Sequence, residues 1–298
     1  MEEEEALRQE KQVEEEEEQV GAPAGNDQIP TNIVDIEEAW KVLEANMDAL
    51  IRFNEAEASH GRKAQLPSHI RSALYTLVYN LCTHEGGHAI TDQLYKRYGI
   101  KVDRHCRENV APRLRGLKGN TLLSALLQQW TLFQRLLHWF SAIFAYVDRH
   151  YTKLLQLLSL SEVGVNSFRL LVFDPVAEEL CATILGAIRE VRAGRKTLSD
   201  CSTQDQIAAA AQVFVEVGGA KLMFYQRDLE EHYLRDVRNS FKQAKERLLK
   251  QEGLSLGSPE YKEKCEQVVA SEKAIAESLL HSSTAARLDT VAKSVLLR

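Results

Sequence analysis

Proline is scarce in this chain, with six residues among 298. Because proline interrupts helices, so small a number favours long helices over extended loops. The sequence also has no sustained alternation of apolar and polar residues, the pattern of a half-buried strand. From Thr31 onward the apolar residues instead recur with a period close to that of an α-helix. The sequence therefore predicts an all-α fold.

Cysteine is also sparse, and the pattern C-x-x-C of zinc knuckles and redox centres is missing. An odd number of widely spaced cysteines is a poor framework for disulfides, so we expect reduced thiols and an intracellular protein. The cysteines are Cys82, Cys106, Cys181, Cys201 and Cys265.

Long apolar runs are lacking as well. The most apolar stretch, residues 136–147, includes His138 and Ser141 and is shorter than the roughly 20 residues that cross a bilayer. The chain opens with acidic residues, whereas a secretory signal has a basic segment followed by an apolar one. We therefore expect neither a membrane span nor a secretory signal.

Charge is concentrated at one end of the chain. Residues 1–20 hold ten glutamates against Arg8 and Lys11, so they carry −8, whereas the whole chain carries −6. The remaining residues carry +2, too little for the many phosphate contacts that nucleic-acid binding requires. Residues 1–30 have too little apolar surface to offset the entropy of ordering, which predicts a disordered acidic tail.

Helical periodicity and turn residues divide the rest of the chain into antiparallel helices. Asp174 and Pro175 are typical of a helix start, and Gly194 of a helix end. Short links between the helices favour two stacked bundles, 31–158 and 159–298. The predicted helices span residues 35–54, 67–83, 90–112, 121–153, 162–173, 175–192, 205–218, 221–251, 258–280 and 284–297.

One string resembles a catalytic motif: His84-Glu85-Gly86-Gly87-His88 satisfies the pattern H-E-x-x-H of zinc hydrolases. That chemistry needs the string on one helix, so that both imidazoles face one metal. Two adjacent glycines cost a helix about 2 kcal/mol relative to alanine, which favours a flexible loop. The sequence also lacks the phosphate-binding loop GxxxxGK[ST] and the nucleophile elbow GxSxG, so nothing supports an enzyme.

The predicted helix 67–83 carries more aromatic surface than a single buried face needs. Tyr79 lies nearly opposite its apolar stripe, and Tyr75 lies at the margin. These tyrosines either pack against another helix of the bundle or face a partner. The stripe consists of Ile70, Ala73, Leu74, Leu77, Val78, Leu81 and Cys82.

Residues 130–151 show a similar surplus. Leu132, Trp139 and Tyr146 widen an apolar face beyond what a surface helix requires. This helix is either central to a bundle or docks a partner through its second face, where tyrosine and tryptophan are common anchors. The first face consists of Phe133, Leu136, Leu137, Phe140, Ile143, Phe144, Val147 and Tyr151.

Several blocks along the chain resemble the cullin family. LYTLVYNLCT at 74–83, LYKRYGI at 94–100, LLQQW at 126–130 and FAYVDRHY at 144–151 resemble a first cullin repeat. EVGVNSFRLLVF at 162–173, AAQVFVEVG at 210–218, YQRDLEEHYL at 225–234 and residues 261–288 resemble a second one in the expected order. YNLCT and LYKR are most similar to plant-type cullins of the Skp/F-box (SCF) class.

The resemblance implies a non-catalytic scaffold of a ubiquitin ligase, cytoplasmic and nuclear, without a cofactor or metal. Helical repeats at 31–158 and 159–298, the second either complete or incomplete, would form an elongated stalk whose first repeat binds a Skp-like adaptor and its F-box protein. By matching position, the second helix would contribute Ser72, Tyr75, Thr76 and Tyr79, and the fifth helix Trp139, Ala142, Tyr146 and Arg149.

Cullins of this class continue into a C-terminal region that binds a RING-box subunit and carries a modified lysine, and no residue here matches either feature. A RING-box partner is therefore expected only if such a region follows. Two alternatives stay open: a truncated cullin-like protein that sequesters adaptors, and a zinc-dependent hydrolase centred on His84, Glu85 and His88.

Overall fold

The computed structural model describes residues 29–84, 86–194, 201–219 and 222–296, apart from the side chains of 201–203. Residues 1–28, which make up most of the predicted tail, and Glu85 of the H-E-x-x-H string lie outside the described residues. Within those ranges the chain forms helices and no strand, which confirms the all-α prediction.

Each predicted helix is present, and its ends are shifted by up to about five residues once the short helical turns that adjoin it are included. Wider π turns follow three of the longer helices, at Cys106–Val110, Val147–Thr152 and Arg169–Phe173, and a fourth at Gln226–Glu230 precedes another. The longer helices are α1 Ile36–Ser59, α2 Ser68–Thr83, α3 Gly87–His105, α4 Gly119–Ile143, α5 Leu160–Phe168, α6 Ala177–Arg192, α7 Cys201–Glu216, α8 Glu231–Lys250, α9 Pro259–Leu279 and α10 Ser283–Leu296.

The helices group into two compact units. The first comprises the described residues up to His105 together with Thr131–Gly164, and the second comprises Cys106–Trp130 together with the described part of Val165–Arg298. Helix α4 therefore contributes its residues up to Trp130 to the second unit and its later residues to the first. The repeat bounds 31–158 and 159–298 stay a prediction.

The first unit packs α1, α2 and α3 around the later part of α4. A buried amide joins two of these helices, because Asn54 donates from Nδ2 to the carbonyl oxygen of Leu132 at 3.0 Å. Arg135 completes the link by donating to Asn54 Oδ1 at 3.0 Å. Ahead of α1, the carbonyl oxygen of Thr31 accepts a bond from Asn80 at 2.9 Å, which holds the incoming chain against α2.

The second unit contains buried polar groups that are satisfied by partners from other helices. Glu230 is fully buried and accepts from Thr284 at 2.9 Å and from Arg287 at 2.5 Å. Arg192 of α6 pairs with Glu272 of α9 and with Asp236 of α8. Because a buried charge is costly without a partner, these contacts fix which helix faces which.

Local signals for helix ends had mixed outcomes. Gly194 follows α6 with a φ of 68°, as the sequence predicts. The prediction for Asp174 was wrong: this residue and Pro175 lie in a 3₁₀ turn, and α6 begins after Val176 without a side-chain cap. The Asp174 carboxylate instead pairs with Arg169 at 3.3 Å, so an ion pair replaces the expected cap.

Candidate partner-binding face

Helix α2 buries one face and exposes the other. All seven residues of the predicted apolar stripe are buried, which confirms the helical periodicity. Tyr79, on the opposite side, is 43% exposed, whereas Tyr75 is half-buried. Ser72 and Thr76 are exposed on the same helix. The polar and aromatic side of α2 is therefore accessible.

Aromatic rings form a row that joins α2 to the segment after α4. The rings of Tyr75 and Tyr79 stack with their centroids 6.3 Å apart. Tyr79 meets Tyr146 edge to face at 5.3 Å, and Tyr146 lies 4.4 Å from the ring of His150. We call Tyr75, Tyr79, Tyr146 and His150 the tyrosine row. Edge-to-face contacts of this kind stabilise aromatic pairs and hold their orientation.

Helix α4 is buried on its second face as well as on its first, at Leu132 and Trp139. Trp139 is only 3% exposed and stacks on Phe53 of α1 at 6.3 Å, and Leu132 is 8% exposed. The side chain of Trp139 therefore lies beneath the surface, unlike the exposed position that the resemblance implies. Around Leu132 and Trp139 the helix is central to its bundle, and its accessible aromatic surface begins at Tyr146.

The other residues of the fifth-helix set lie where a partner can reach them. Ala142 and Tyr146 are half-buried, and Arg149 is exposed. His150, for which the sequence predicts no role, is exposed beside Tyr146. The spacing of four residues between Tyr146 and His150 is the signal that points to this contact.

Two hydrogen bonds hold the π turn at Val147–Thr152. Asp148 accepts from the backbone N–H of Leu160 at 2.8 Å, and Tyr151 donates to Asp92 of α3 at 2.7 Å. Burial raises the pKa of Tyr151 to about 12, assisted by the Asp92 carboxylate. The Lys96 ammonium, followed by the Tyr151 hydroxyl, lowers the pKa of Asp92. These bonds orient the segment that presents Tyr146 and Arg149.

The H-E-x-x-H string begins after the end of α2 and extends into α3. Helix α2 ends at Thr83, His84 is extended with a ψ of 163°, and α3 begins at Gly87. His88 therefore lies in the first turn of α3, so the expectation of a loop for both histidines was wrong for His88. The two imidazoles do not share a helix, which is the arrangement that the zinc-hydrolase motif requires.

Metal-binding clusters and reactive cysteines are the other features of the described residues that could indicate chemistry. Among those residues, no group of three or more histidine, cysteine or acidic side chains is arranged to hold a metal ion. Burial raises the pKa of the thiols of Cys82, Cys181 and Cys265, which makes them poor nucleophiles. In the same part of the chain, no helix is both long and apolar enough to span a bilayer.

Comparison with known families identifies this helical architecture. The family model described as the cullin alpha solenoid domain matches residues 40–298, which include all of α2, the tyrosine row and the second unit. The chain belongs to the cullin family. The match covers most of the chain and agrees with the all-helical fold of the described residues.

Three plant proteins illustrate how far this cullin chain resembles others. It is 26% identical over 204 residues to "Cullin-1" of Oryza sativa subsp. japonica, covering 68% of this chain and 26% of that protein. It is 28% identical over 262 residues to "Cullin-2" of Arabidopsis thaliana, covering 88% and 34%. It is 25% identical over 268 residues to "Cullin-like protein 3" of Arabidopsis thaliana, covering 90% and 98%.

The cullin chain thus spans about a third or less of the length of the first two of these relatives.

Proposed function

We propose that this cullin chain is the receptor-holding arm of an SCF-type ubiquitin ligase scaffold, binding a Skp-like adaptor together with its F-box protein. The binding surface, called here the adaptor face, lies on α2 and on the segment from the end of α4 through the following π turn. It consists of Ser72, Tyr75, Thr76, Tyr79, Ala142, Tyr146 and Arg149.

The exposed tyrosine row is the observation that carries this proposal. Tyr79 keeps 43% of its surface exposed although its ring is fixed between Tyr75 and Tyr146. A rigid aromatic side chain loses little conformational entropy when a partner covers it, which is why tyrosine and arginine anchor interfaces. Arg149 adds a charged donor at the end of the same surface.

The ligase role proposed here needs no catalytic residue in the chain. A scaffold accelerates transfer by holding the substrate near the charged conjugating enzyme, which raises their effective concentration. The adaptor face would hold the substrate receptor, and a RING-box subunit would bind to a separate region of a complete cullin. Membership of the family and the names of its relatives support this assignment.

A calorimetric titration with a plant adaptor–F-box complex tests the proposal. The double variant Tyr75→Ala/Tyr79→Ala should bind at least about 30-fold more weakly than the parent chain, since an anchoring tyrosine is worth on the order of 2 kcal/mol. Both residues lie off the buried stripe of α2, so the helical circular dichroism and the melting temperature should stay close to those of the parent.

Met223→Ala/Leu256→Ala is the matched control. Met223 and Leu256 are 56% and 55% exposed and lie in the second unit, so this variant also removes exposed apolar surface. It should bind the adaptor like the parent chain. Equal affinities for both double variants, with both correctly folded, would exclude the tyrosine row as the binding site.

A second candidate function follows from one of the relatives. "Cullin-like protein 3" is matched over 98% of its own length, so that relative has little sequence beyond the region it shares with this chain. A chain that binds an adaptor without holding a RING-box subunit would sequester that adaptor. The adaptor face would be the same, and the effect on substrate ubiquitination would be inhibition.

A further inference from the structure

A pocket lined by several basic side chains opens beside the adaptor face. It has a volume of about 360 Å³ and lies within the first unit, between the chain preceding α2 and one side of α4. Its inner surface includes the buried residues Ala64 and Trp139. Four side chains with basic groups also line it: Lys63, Arg71, Arg135 and His138. We call this cavity the basic pocket.

The lining of the basic pocket includes no carboxylate. Arg135 donates to Asn54 Oδ1, which is a neutral acceptor, so this bond leaves the charge of the guanidinium unbalanced. Lys63, Arg71 and His138 are exposed at the rim. Like charges gathered over a partly apolar floor repel one another and attract anions, because the low-dielectric wall strengthens their field. The pocket therefore suits an acidic group attached to an apolar stem.

The basic pocket is continuous with the adaptor face. Ala142 belongs to both, and Arg71 immediately precedes Ser72 on α2. Trp139, which the resemblance assigns to the adaptor contact, lines the pocket instead of the tyrosine row. A partner that covers α2 from Tyr79 to Ser72 would reach the pocket at the end of its footprint.

We infer that the basic pocket receives an acidic segment of the same adaptor–receptor complex that covers the tyrosine row. Its carboxylates would pair with Lys63, Arg71 and Arg135, and an adjoining apolar side chain would cover Ala64 and Trp139. The inference rests on the proposed function and adds the chemistry of the partner. Charges at the edge of an interface act mainly on the association rate and on its salt dependence.

Association kinetics with the adaptor–F-box complex at low and at physiological salt provide the test. Lys63→Gln/Arg71→Gln should slow association about fivefold to tenfold at low salt, with a smaller difference at higher salt because the charges are screened. Arg135 is left intact because its bond to Asn54 supports the fold. Lys242→Gln/Lys264→Gln removes the same charge from exposed positions of the second unit and should leave the rate within about twofold of the parent.

The outcomes separate this inference from the function on which it rests. If Lys63→Gln/Arg71→Gln behaves like the lysine control while Tyr75→Ala/Tyr79→Ala still weakens binding, the basic pocket has no part in the complex. If the tyrosine variant also binds like the parent, the adaptor face itself is wrong.

The chain's own acidic residues 1–20 offer the same chemistry as an acidic partner. A variant of the 298-residue chain with those ten glutamates changed to glutamine distinguishes the two sources. Faster adaptor association in this variant, and no such gain when Lys63→Gln/Arg71→Gln is also present, would assign the pocket to the chain's own acidic segment and overturn the inference. An unchanged association rate supports a partner segment.

Discussion

At Gly87 the backbone of α3 approaches the end of α2 too closely for any side chain. A Cβ atom at this position would lie 2.1 Å from the carbonyl oxygen of Cys82. The preceding residue, Gly86, has a φ of 83°, a conformation that residues with a side chain rarely adopt. The glycine pair therefore serves the tight turn between two helices, and the match to H-E-x-x-H follows from this turn.

Gly87→Ala should lower the free energy of unfolding by about 1–3 kcal/mol, because the added methyl group meets the backbone and not a flexible side chain. Gly186→Ala is the matched control, since a Cβ atom added there, in the middle of α6, would have no other atom within 4 Å. That control should raise stability by about 0.5–1 kcal/mol. Chemical denaturation measures both, and a neutral Gly87→Ala would contradict the close approach.

On the scale of helices, one ion-pair network joins α6, α8 and α9. Arg192 donates to both oxygens of Glu272 at 2.8 and 2.6 Å and to Asp236 at 2.7 Å, and Tyr233 donates to Glu272 at 2.8 Å. Burial alone would lower the pKa of Arg192, but the bonds to Glu272 and Asp236 outweigh it and raise the pKa. The guanidinium therefore stays charged between the three helices.

Glu272→Ala should destabilise the chain by about 3–5 kcal/mol, because it removes the principal partner of a largely buried guanidinium. Glu246→Ala breaks only an exposed pair with Lys250 at 3.8 Å and should change stability by less than about 0.5 kcal/mol. Thermal unfolding of both variants in parallel checks the contrast. Similar melting temperatures would show that the network contributes little.

Helical periodicity located the elements because a buried stripe leaves a repeating pattern in sequence. It identified the full buried face of α2 and the exposed position of Tyr79. It did not reveal that Trp139 is covered by Phe53, since a pattern along one helix gives no information about which other helices pack against it. The π turn at Val147–Thr152 escaped prediction because it depends on distant bonds, such as Tyr151 to Asp92.

Only part of the candidate site can likewise be predicted from the sequence. Helical spacing indicates Tyr75, Tyr79 and Tyr146, and the resemblance adds positions such as Ala142. The basic pocket was not predicted, because Arg71 and Arg135 come together only through the packing of separate helices. Charge distributed over distant positions gives no local motif, so only the folded chain reveals such a pocket.

On the scale of the whole molecule, the proposed function gives this cullin chain a face that holds an adaptor and its substrate receptor. If it has this face, the chain would compete with other SCF-type cullins for the same adaptor. A scaffold brings the substrate to the conjugating enzyme only when it holds both the receptor and the RING-box subunit. An adaptor bound to a chain that holds no RING-box subunit is therefore withdrawn from ligase activity.

Titration of this chain into a reconstituted SCF ubiquitination reaction tests the adaptor face most directly. Substrate ubiquitination should fall as the chain approaches the adaptor concentration, and additional adaptor–F-box complex should restore it. Tyr75→Ala/Tyr79→Ala should abolish the inhibition, whereas Met223→Ala/Leu256→Ala should inhibit like the parent. Undiminished ubiquitination at a large excess of the parent chain over adaptor would contradict the central claim that this surface binds the adaptor.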